Sequence, residues 1–188
     1  MGYLRKIEYK IIQKDSYKII RNCSGCGCKA TYINTRKFRV NANGKYLDIW
    51  LIYQCEKCKH TYNLSIYERI KVTDISKIEY NKFLMNDLQF ALDCGKNKQL
   101  FLKNKADIDW ESVDYYIIGD DMEFKQGDYI TVCNSQQLKI RIDKLVANIL
   151  HISRSKVKSL EKDGTIEIIY NYFEGMIEIL IKGEFIVI

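Results

Sequence analysis

Four cysteines in two Cys-x-x-Cys pairs, Cys23-Ser24-Gly25-Cys26 and Cys55-Glu56-Lys57-Cys58, carry the most legible chemistry in the chain. Each pair can place two sulfurs on one side of a metal ion. Four thiolates from two such knuckles suit a single tetrahedral ion, for which zinc is the usual occupant. Glycine beside a ligand, as at Gly25 and Gly27, lets backbone N–H groups turn toward the sulfurs and stabilise their charge. Redox use of Cys-x-x-Cys places the pair at the opening of a helix in a βαβ setting, which neither pair has. A catalytic zinc keeps one coordination position open beside a general base, whereas four cysteines close the shell. The expectation is one structural Zn2+ held by Cys23, Cys26, Cys55 and Cys58. Cys28 lies too close to Cys26 to replace it cleanly, and His60 reads as a neighbour of the site or a surface group. Cys94 and Cys133 read as buried small residues.

Those pairs need elements that bring them together, and the segment between them reads as a hairpin. Apolar and polar side chains alternate from Arg36 to Tyr53, and Asn43-Gly44 is the preferred pair for a two-residue type I′ loop. A loop there sets Val40 opposite Leu47 and Phe38 opposite Ile49. One face then carries Phe38, Val40, Leu47, Ile49, Leu51 and Tyr53. The other carries Lys37, Arg39, Asn41, Tyr46, Asp48 and Trp50, with Arg39 facing Asp48 as an ion pair and Lys37 facing Trp50. Lys37, Arg39, Tyr46 and Trp50 form a candidate second surface, since cations interleaved with aromatics suit phosphates and stacked bases. Burial of Trp50 and Tyr46 under a following domain is the commoner fate of such residues. Two knuckles joined by a hairpin make a zinc ribbon. Upstream, alternation at Leu4, Ile7, Tyr9 and Ile11, and again at Tyr17 and Ile19, predicts one or two short strands leading to the first knuckle.

The run FRVNANGKYLDIWLIYQCEKC, followed by Tyr62-Asn63 and Glu68-Arg69, resembles an uncharacterised bacterial family, domain-of-unknown-function family 1062. The resemblance covers most of the chain and is specific between Phe38 and Arg69. It implies that both knuckles belong to one site, and it carries no activity.

A length of 188 residues, 47% hydrophobic and 29% charged, describes a folded chain able to bury a core. No run of about eighteen apolar residues could span a bilayer. The opening MGYLRKIEYKIIQKD lacks the apolar stretch of a secretory signal, so a cytoplasmic protein is expected. Seven cysteines, four at knuckle spacing, favour reduced thiols over a disulfide framework. The net charge of +6 is unevenly spread: residues 1–72 carry 15 Lys or Arg against 5 acids, 73–135 carry 7 against 12, 136–162 carry 7 against 2, and the remainder 1 against 5. Four thiolates with Zn2+ would change the first block by −2. Two basic blocks separated by an acidic one offer surfaces for a polyanion, although a solvated face is the commoner explanation of any single block.

The acidic middle turns helical. Ile75, Ile78 and Phe83 to Met85 predict one short amphipathic helix, and Asn86-Asp87 caps a second with Leu88, Ala91 and Leu92 inward and Gly95 at its end. A third turn falls around Leu100 to Leu102. Strands are expected at Tyr115 to Ile118 and Tyr129 to Cys133. The acids Asp107, Asp109, Glu111, Asp114, Asp120, Asp121 and Glu123 follow no calcium-loop order and read as a solvated face.

Residues 138–162 predict two helices. Ile142, Leu145, Val146 and Ile149 make one apolar stripe; Ser153 is the N-cap of the next helix, which turns Val157 and Leu160 inward and spaces Arg154, Lys158 and Lys162 four residues apart. Asp163-Gly164 stops it, and short strands are expected at Ile166 to Tyr170, Met176 to Ile181 and Phe185 to Ile188. This stretch resembles the alpha-L RNA-binding motif of ribosomal small-subunit protein four, shared by some tRNA synthetases and pseudouridine synthases. The residues that carry the resemblance are Arg141-Ile142-Asp143-Lys144-Leu145, Ser153-Arg154-Ser155, Leu160 to Gly164 and Gly183-Glu184-Phe185-Ile186. The chain departs from the family's Val-Asn-Gly turn at Ile169 to Gly175. The resemblance implies a helix-turn-helix-like pair with a small sheet, whose second helix lies against RNA, and Arg141, Lys144, Arg154, Lys156, Lys158 and Lys162 are the candidate contacts.

The sequence thus predicts a three-part α+β chain: an antiparallel zinc ribbon over residues 1–72, an acidic, largely helical middle segment over 73–135 and an alpha-L RNA-binding-like unit over 136–188. The expected activity is non-catalytic binding of structured RNA or a ribosomal particle, without a membrane or a small-molecule substrate. The alternatives are a protein–protein adaptor and a DNA-binding regulator. The sequence offers two histidines, no nucleophile-and-base pairing and no phosphate-cradling glycine loop, so no catalytic residue is assigned.

Overall fold

The computed structural model describes residues 5–120, 122–171 and 174–184. In chain order the elements are β1 (Lys6–Gln13), β2 (Ile19–Cys23), β3 (Cys28–Asn43), β4 (Tyr46–Cys55), β5 (Thr61–Lys71), α1 (Lys77–Leu84), α2 (Leu88–Lys96), α3 (Lys98–Lys103), β6 (Asp107–Ile108), β7 (Tyr115–Ile118), β8 (Tyr129–Cys133), α4 (Ile142–Ile149), α5 (Arg154–Lys162), β9 (Ile166–Asn171) and β10 (Met176–Ile181). Helices and strands together make an α+β chain. No helix of the described residues is long and apolar enough to cross a membrane. Leu4, Asp121 and the expected strand over Phe185 to Ile188 lie outside the described residues.

The chain divides into two compact units, Asp15 to Asp114 and the remainder on either side of it. The expected boundaries, 1–72, 73–135 and 136–188, do not coincide with these units. Charge blocks follow the surface, whereas domain identity follows strand pairing across long separations. β1 shows this most clearly. Expected to lead into the ribbon, it pairs instead with β8 in parallel and with β7 antiparallel. Its alternation predicts a strand but not the partner, and a parallel partner needs a long crossover.

The Asp15–Asp114 unit is built on an antiparallel sheet in the order β5-β4-β3-β2-β6. Strict alternation along β4 buries Leu47, Ile49, Leu51, Tyr53 and Cys55. Leu47, Ile49, Ile75 and Phe83 form a core cluster against which Phe38, Val40, Tyr67 and Phe90 pack. Tyr53 is fully buried and donates its hydroxyl to the Tyr17 carbonyl at 3.0 Å, while Tyr17 and Phe101 meet edge to face at 5.4 Å. α1 is capped by Ser76, which accepts from Glu79 N–H, and α2 by Asp87, which accepts from Phe90 N–H. Gly95 lies inside α2 rather than at its end. A Cβ there would stand 2.2 Å from Ser16 Oγ, so only glycine lets α2 approach this closely.

The apolar faces expected of α1 and α2 are only partly inward. Ile75, Phe83 and Ala91 are buried, but Ile78, Met85 and Leu88 are 73%, 81% and 65% exposed. Between the two helices Asn86 adopts a positive φ of 50° and accepts from the Phe38 N–H, a contact 48 positions away along the chain that turns the nearby Met85 and Leu88 outward; Ile78 lies at the other end of α1.

The other unit has a mixed sheet in the order β7-β1-β8-β10-β9. Ile7, Tyr9 and Ile11 of β1, Ile130 and Val132 of β8, and Ile177, Ile179 and Ile181 of β10 are buried. α4 and α5 pack on each other, and α5 also contacts β9. Arg5 and Asp128 form a two-pronged ion pair. Burial by itself would raise the Asp128 pKa, but the Arg5 hydrogen bond and the Lys125 N–H outweigh it and hold the carboxyl below its usual range.

Candidate metal centre and basic surfaces

Each knuckle is a turn between paired strands. Cys23 ends β2 and pairs with Cys28 at the start of β3. The Cys23 carbonyl accepts from Cys26 N–H at 3.2 Å and Gly27 N–H at 2.8 Å, with Gly27 at a φ of 68°. Cys55 ends β4, donates its N–H to the His60 carbonyl at 2.9 Å and accepts from Lys59 N–H at 3.1 Å. The β3–β4 register places Tyr32 opposite Cys55 and so sets the second knuckle beside the first. Glu56 N–H then donates to the Thr31 carbonyl at 2.9 Å.

The result is a cluster of four sulfurs from Cys23, Cys26, Cys55 and Cys58, all within 4.8 Å of one another. Cys23 Sγ lies 3.4 Å from Cys58 Sγ, and Cys26 Sγ lies 3.8 Å from Cys55 Sγ. A tetrahedral ion with bonds of about 2.3 Å has sulfur–sulfur edges of about 3.8 Å, so this donor set fits a metal ion. Gly25 is required by the packing, because a Cβ on it would stand 2.9 Å from Cys58 Sγ.

The thiols are electrostatically unequal. A hydrogen bond from the Tyr32 hydroxyl, with further help from Cys58, draws Cys23 down to about 6. Backbone N–H groups, that of Cys58 first, lower Cys55. Cys26, sharing a hydrogen bond with Cys58 and partly desolvated, is pushed up to about 12. Several thiolates this close repel unless a cation lies among them.

Cys28 is exposed and outside the cluster. His60 shares a hydrogen bond with Ser24 across the knuckles at 2.9 Å. Arg21 stacks on the Tyr62 ring at 3.6 Å. The sequence gives no local sign of these contacts, which depend on β2 and β5 converging at the knuckles.

Along the hairpin, Asn34 faces Tyr53 next to the knuckles, but two extra residues, Thr35 and Arg36, then bulge from β3. Beyond the bulge Val40 faces Ile49, Phe38 faces Leu51, Arg39 faces Trp50 and Lys37 faces Ile52. The expected Arg39–Asp48 and Lys37–Trp50 pairs are therefore replaced. Asp48 instead faces Asn41 and accepts from Arg69 N–H at 2.9 Å. A slip of two in the pairing leaves every side chain on its expected face. The loop is Gly44-Lys45, with Gly44 at a φ of 60°, as a II′ loop requires at its first position. Lys37 and Arg39 are exposed, while Trp50 and Tyr46 are half-buried rather than covered; Arg69 lies over the Tyr46 ring at 5.1 Å.

In the other unit, α5 has its expected form. Ser153 Oγ accepts from Lys156 N–H, Val157 and Leu160 are buried, and Arg154, Lys156, Lys158 and Lys162 are exposed. Lys144 is exposed on α4. Arg141 and Arg154 are not free cations: both reach Asp143, Arg154 Nη2 at 2.8 Å and Arg141 Nη2 at 3.1 Å from Oδ2. The Arg154 hydrogen bond leads, with Arg141 adding to it, in holding the Asp143 carboxyl down to about 2. A carboxyl lowered on folding contributes stability above its unfolded pKa of about 4 and loses it as pH falls toward 2. The difference in Tm between the native chain and Asp143→Asn, followed by thermal melting, is therefore expected to shrink between pH 4 and pH 2.

No curated protein matches this chain, and no solved structure does. A family model described as "Protein of unknown function (DUF1062)" matches residues 40–171, which take in the second knuckle, the helices α1–α5 and all of β9. That match spans well over half of the sequence, and the chain belongs to the DUF1062 family.

Proposed function

We propose that this is a non-catalytic RNA-binding protein whose ribbon-like unit is clamped by one structural Zn2+. Zinc is the choice because four thiolates with near-tetrahedral edges suit it best among common ions, and reduced thiols agree with a cytoplasmic setting. The observation that carries RNA binding is the exposed cationic row of α5, Arg154, Lys158 and Lys162, on a helix whose opposite face is buried. The order of helix, helix and then strands β9 and β10 is also the order that the alpha-L resemblance implies. Lys158 and Lys162 supply phosphate contacts, joined by Lys144 and Lys156; Arg154 and Arg141 first have to exchange Asp143 for phosphate.

The test is binding of a structured RNA hairpin by the zinc-loaded chain at several salt concentrations. Affinity is expected to fall steeply with salt, and Lys158→Glu with Lys162→Glu together to weaken it by tenfold or more. A flat salt response, or no loss in the double variant, counts against the reading. Equal or tighter binding of duplex DNA would turn it toward a DNA-binding regulator.

A second reading, a protein–protein adaptor, is favoured by the exposed Leu84, Met85 and Leu88 around the α1–α2 turn. Retention of one protein partner after nuclease treatment, lost in Met85→Asp with Leu88→Asp, would support it.

A further inference from the structure

The bulge at Thr35-Arg36 shapes the solvent-facing side of the β3–β4–β5 sheet. Arg36 sits at a φ of 59°, uncommon for a side chain with a Cβ, and its N–H is taken by Asn34 Oδ1 at 2.8 Å. Thr35 donates its hydroxyl to the Ile52 carbonyl at 2.8 Å. These bonds hold open a shallow depression lined by Ile33, Thr35, Lys37, Arg39, Ile52 and Gln54.

Two rows cross this face. Arg39, Trp50 and Ser65 are successive cross-strand partners, and so are Lys37, Ile52 and Asn63. Each row runs from a cation, over an apolar or aromatic platform, to a small polar side chain. Strands lie about 4.8 Å apart and residues two apart on one strand about 6.8 Å apart, so the two cations repeat at a step an extended single strand can follow. Lys37 and Arg39 are exposed, and Asp48, which shares this face with Trp50, accepts from the Arg69 N–H. Asn63 Oδ1 and Ser65 Oγ are buried with no hydrogen-bond partner among the described residues. Unpaired buried polar atoms are costly, and these two lie under the face rather than on it, so the contacts open to a ligand are Lys37, Arg39 and the half-buried Trp50.

We propose that this bulged sheet face holds an unpaired segment of RNA, with Lys37 and Arg39 on successive phosphates and Trp50 stacked on a base. The proposal rests on the reading of the chain as an RNA-binding protein, and it adds a surface separate from α5 with a preference for single strands. Stacking on an aromatic is sequence-tolerant, so the ligand class is single-stranded RNA of little base preference.

The experiment titrates the full zinc-loaded chain with short oligouridine, which lacks stable secondary structure, while following tryptophan emission. Saturable quenching is expected. Trp50→Phe should remove most of the quenching and keep part of the affinity, while Trp110 still reports. Lys37→Ala with Arg39→Ala should weaken binding about tenfold or more and reduce the log–log salt slope by about 1.4, two contacts at about 0.7 each. Unchanged metal content in these variants shows that they are folded.

The hairpin RNA and the Lys158→Glu, Lys162→Glu variant separate the two claims. If that variant loses the hairpin but keeps oligouridine, both stand. If the native chain binds oligouridine through Trp50 but no hairpin, the role given to α5 falls and this one stands. Hairpin binding without oligouridine quenching, quenching indifferent to Lys37 and Arg39, or capture of a protein by this face with no response to oligouridine each overturns the proposal.

Discussion

Cys55→Ser is expected to release the metal and to loosen the knuckle end of the Asp15–Asp114 unit, at a cost of several kcal/mol. Cys55 is 0% exposed and closes β4 where it meets both knuckles. A serine there removes a thiolate and buries a hydroxyl among three sulfurs. Structural zinc sites contribute their binding energy directly to folding, so losing one of four ligands forfeits much of it. Elemental analysis and thermal denaturation read the result: well below one metal per chain and a markedly lower Tm. Cys28→Ser supplies the control. Cys28 is exposed and outside the cluster, so its replacement should leave metal content and Tm essentially unchanged.

Phe83→Ala should cost about 3–5 kcal/mol, the usual toll for emptying a buried aromatic site. The Phe83 side chain is 1% exposed and meets Phe38 edge to face at 4.8 Å, Phe90 at 5.1 Å and Tyr67 at 6.1 Å. Removing it takes away three ring contacts as well as the buried area, and the cavity lies between α1 and the β3–β4 hairpin. Chemical denaturation followed by far-UV circular dichroism measures the loss. Leu84→Ala, one residue further on an exposed position, should fall within about 0.5 kcal/mol of the native chain.

The contrast between Phe83 and Leu84 shows what sequence reading can reach. Apolar residues crowd Phe83 to Leu88, and periodicity alone assigns Met85 and Leu88 to the inside. The positive φ of Asn86, tied to the Phe38 N–H, turns them out, and that contact joins residues 48 positions apart. The cysteine cluster was legible because its information is local: two Cys-x-x-Cys turns and a period-two hairpin between them. The hairpin faces were legible for the same reason, and they survived the Thr35-Arg36 bulge because it inserts an even number of residues. The bulge itself has no turn signal, since its positive-φ position is an arginine. The caps of α2 and α5 were readable at Asp87 and Ser153, which bond within their own first turns. The pairing of Arg154 with Asp143 spans two helices, and only the α4–α5 packing brings it about. The partners of β1 needed the whole fold.

The central claim is a closed metal centre that clamps the two knuckles while other residues do the recognising. X-ray absorption at the zinc edge on the freshly purified chain, with metal content measured on the same sample, tests it most directly. The predicted result is one zinc per chain with four sulfur neighbours at about 2.3 Å and no lighter atom in the first shell. A nitrogen or oxygen neighbour, or a chain that stays folded with well below one metal, would contradict it.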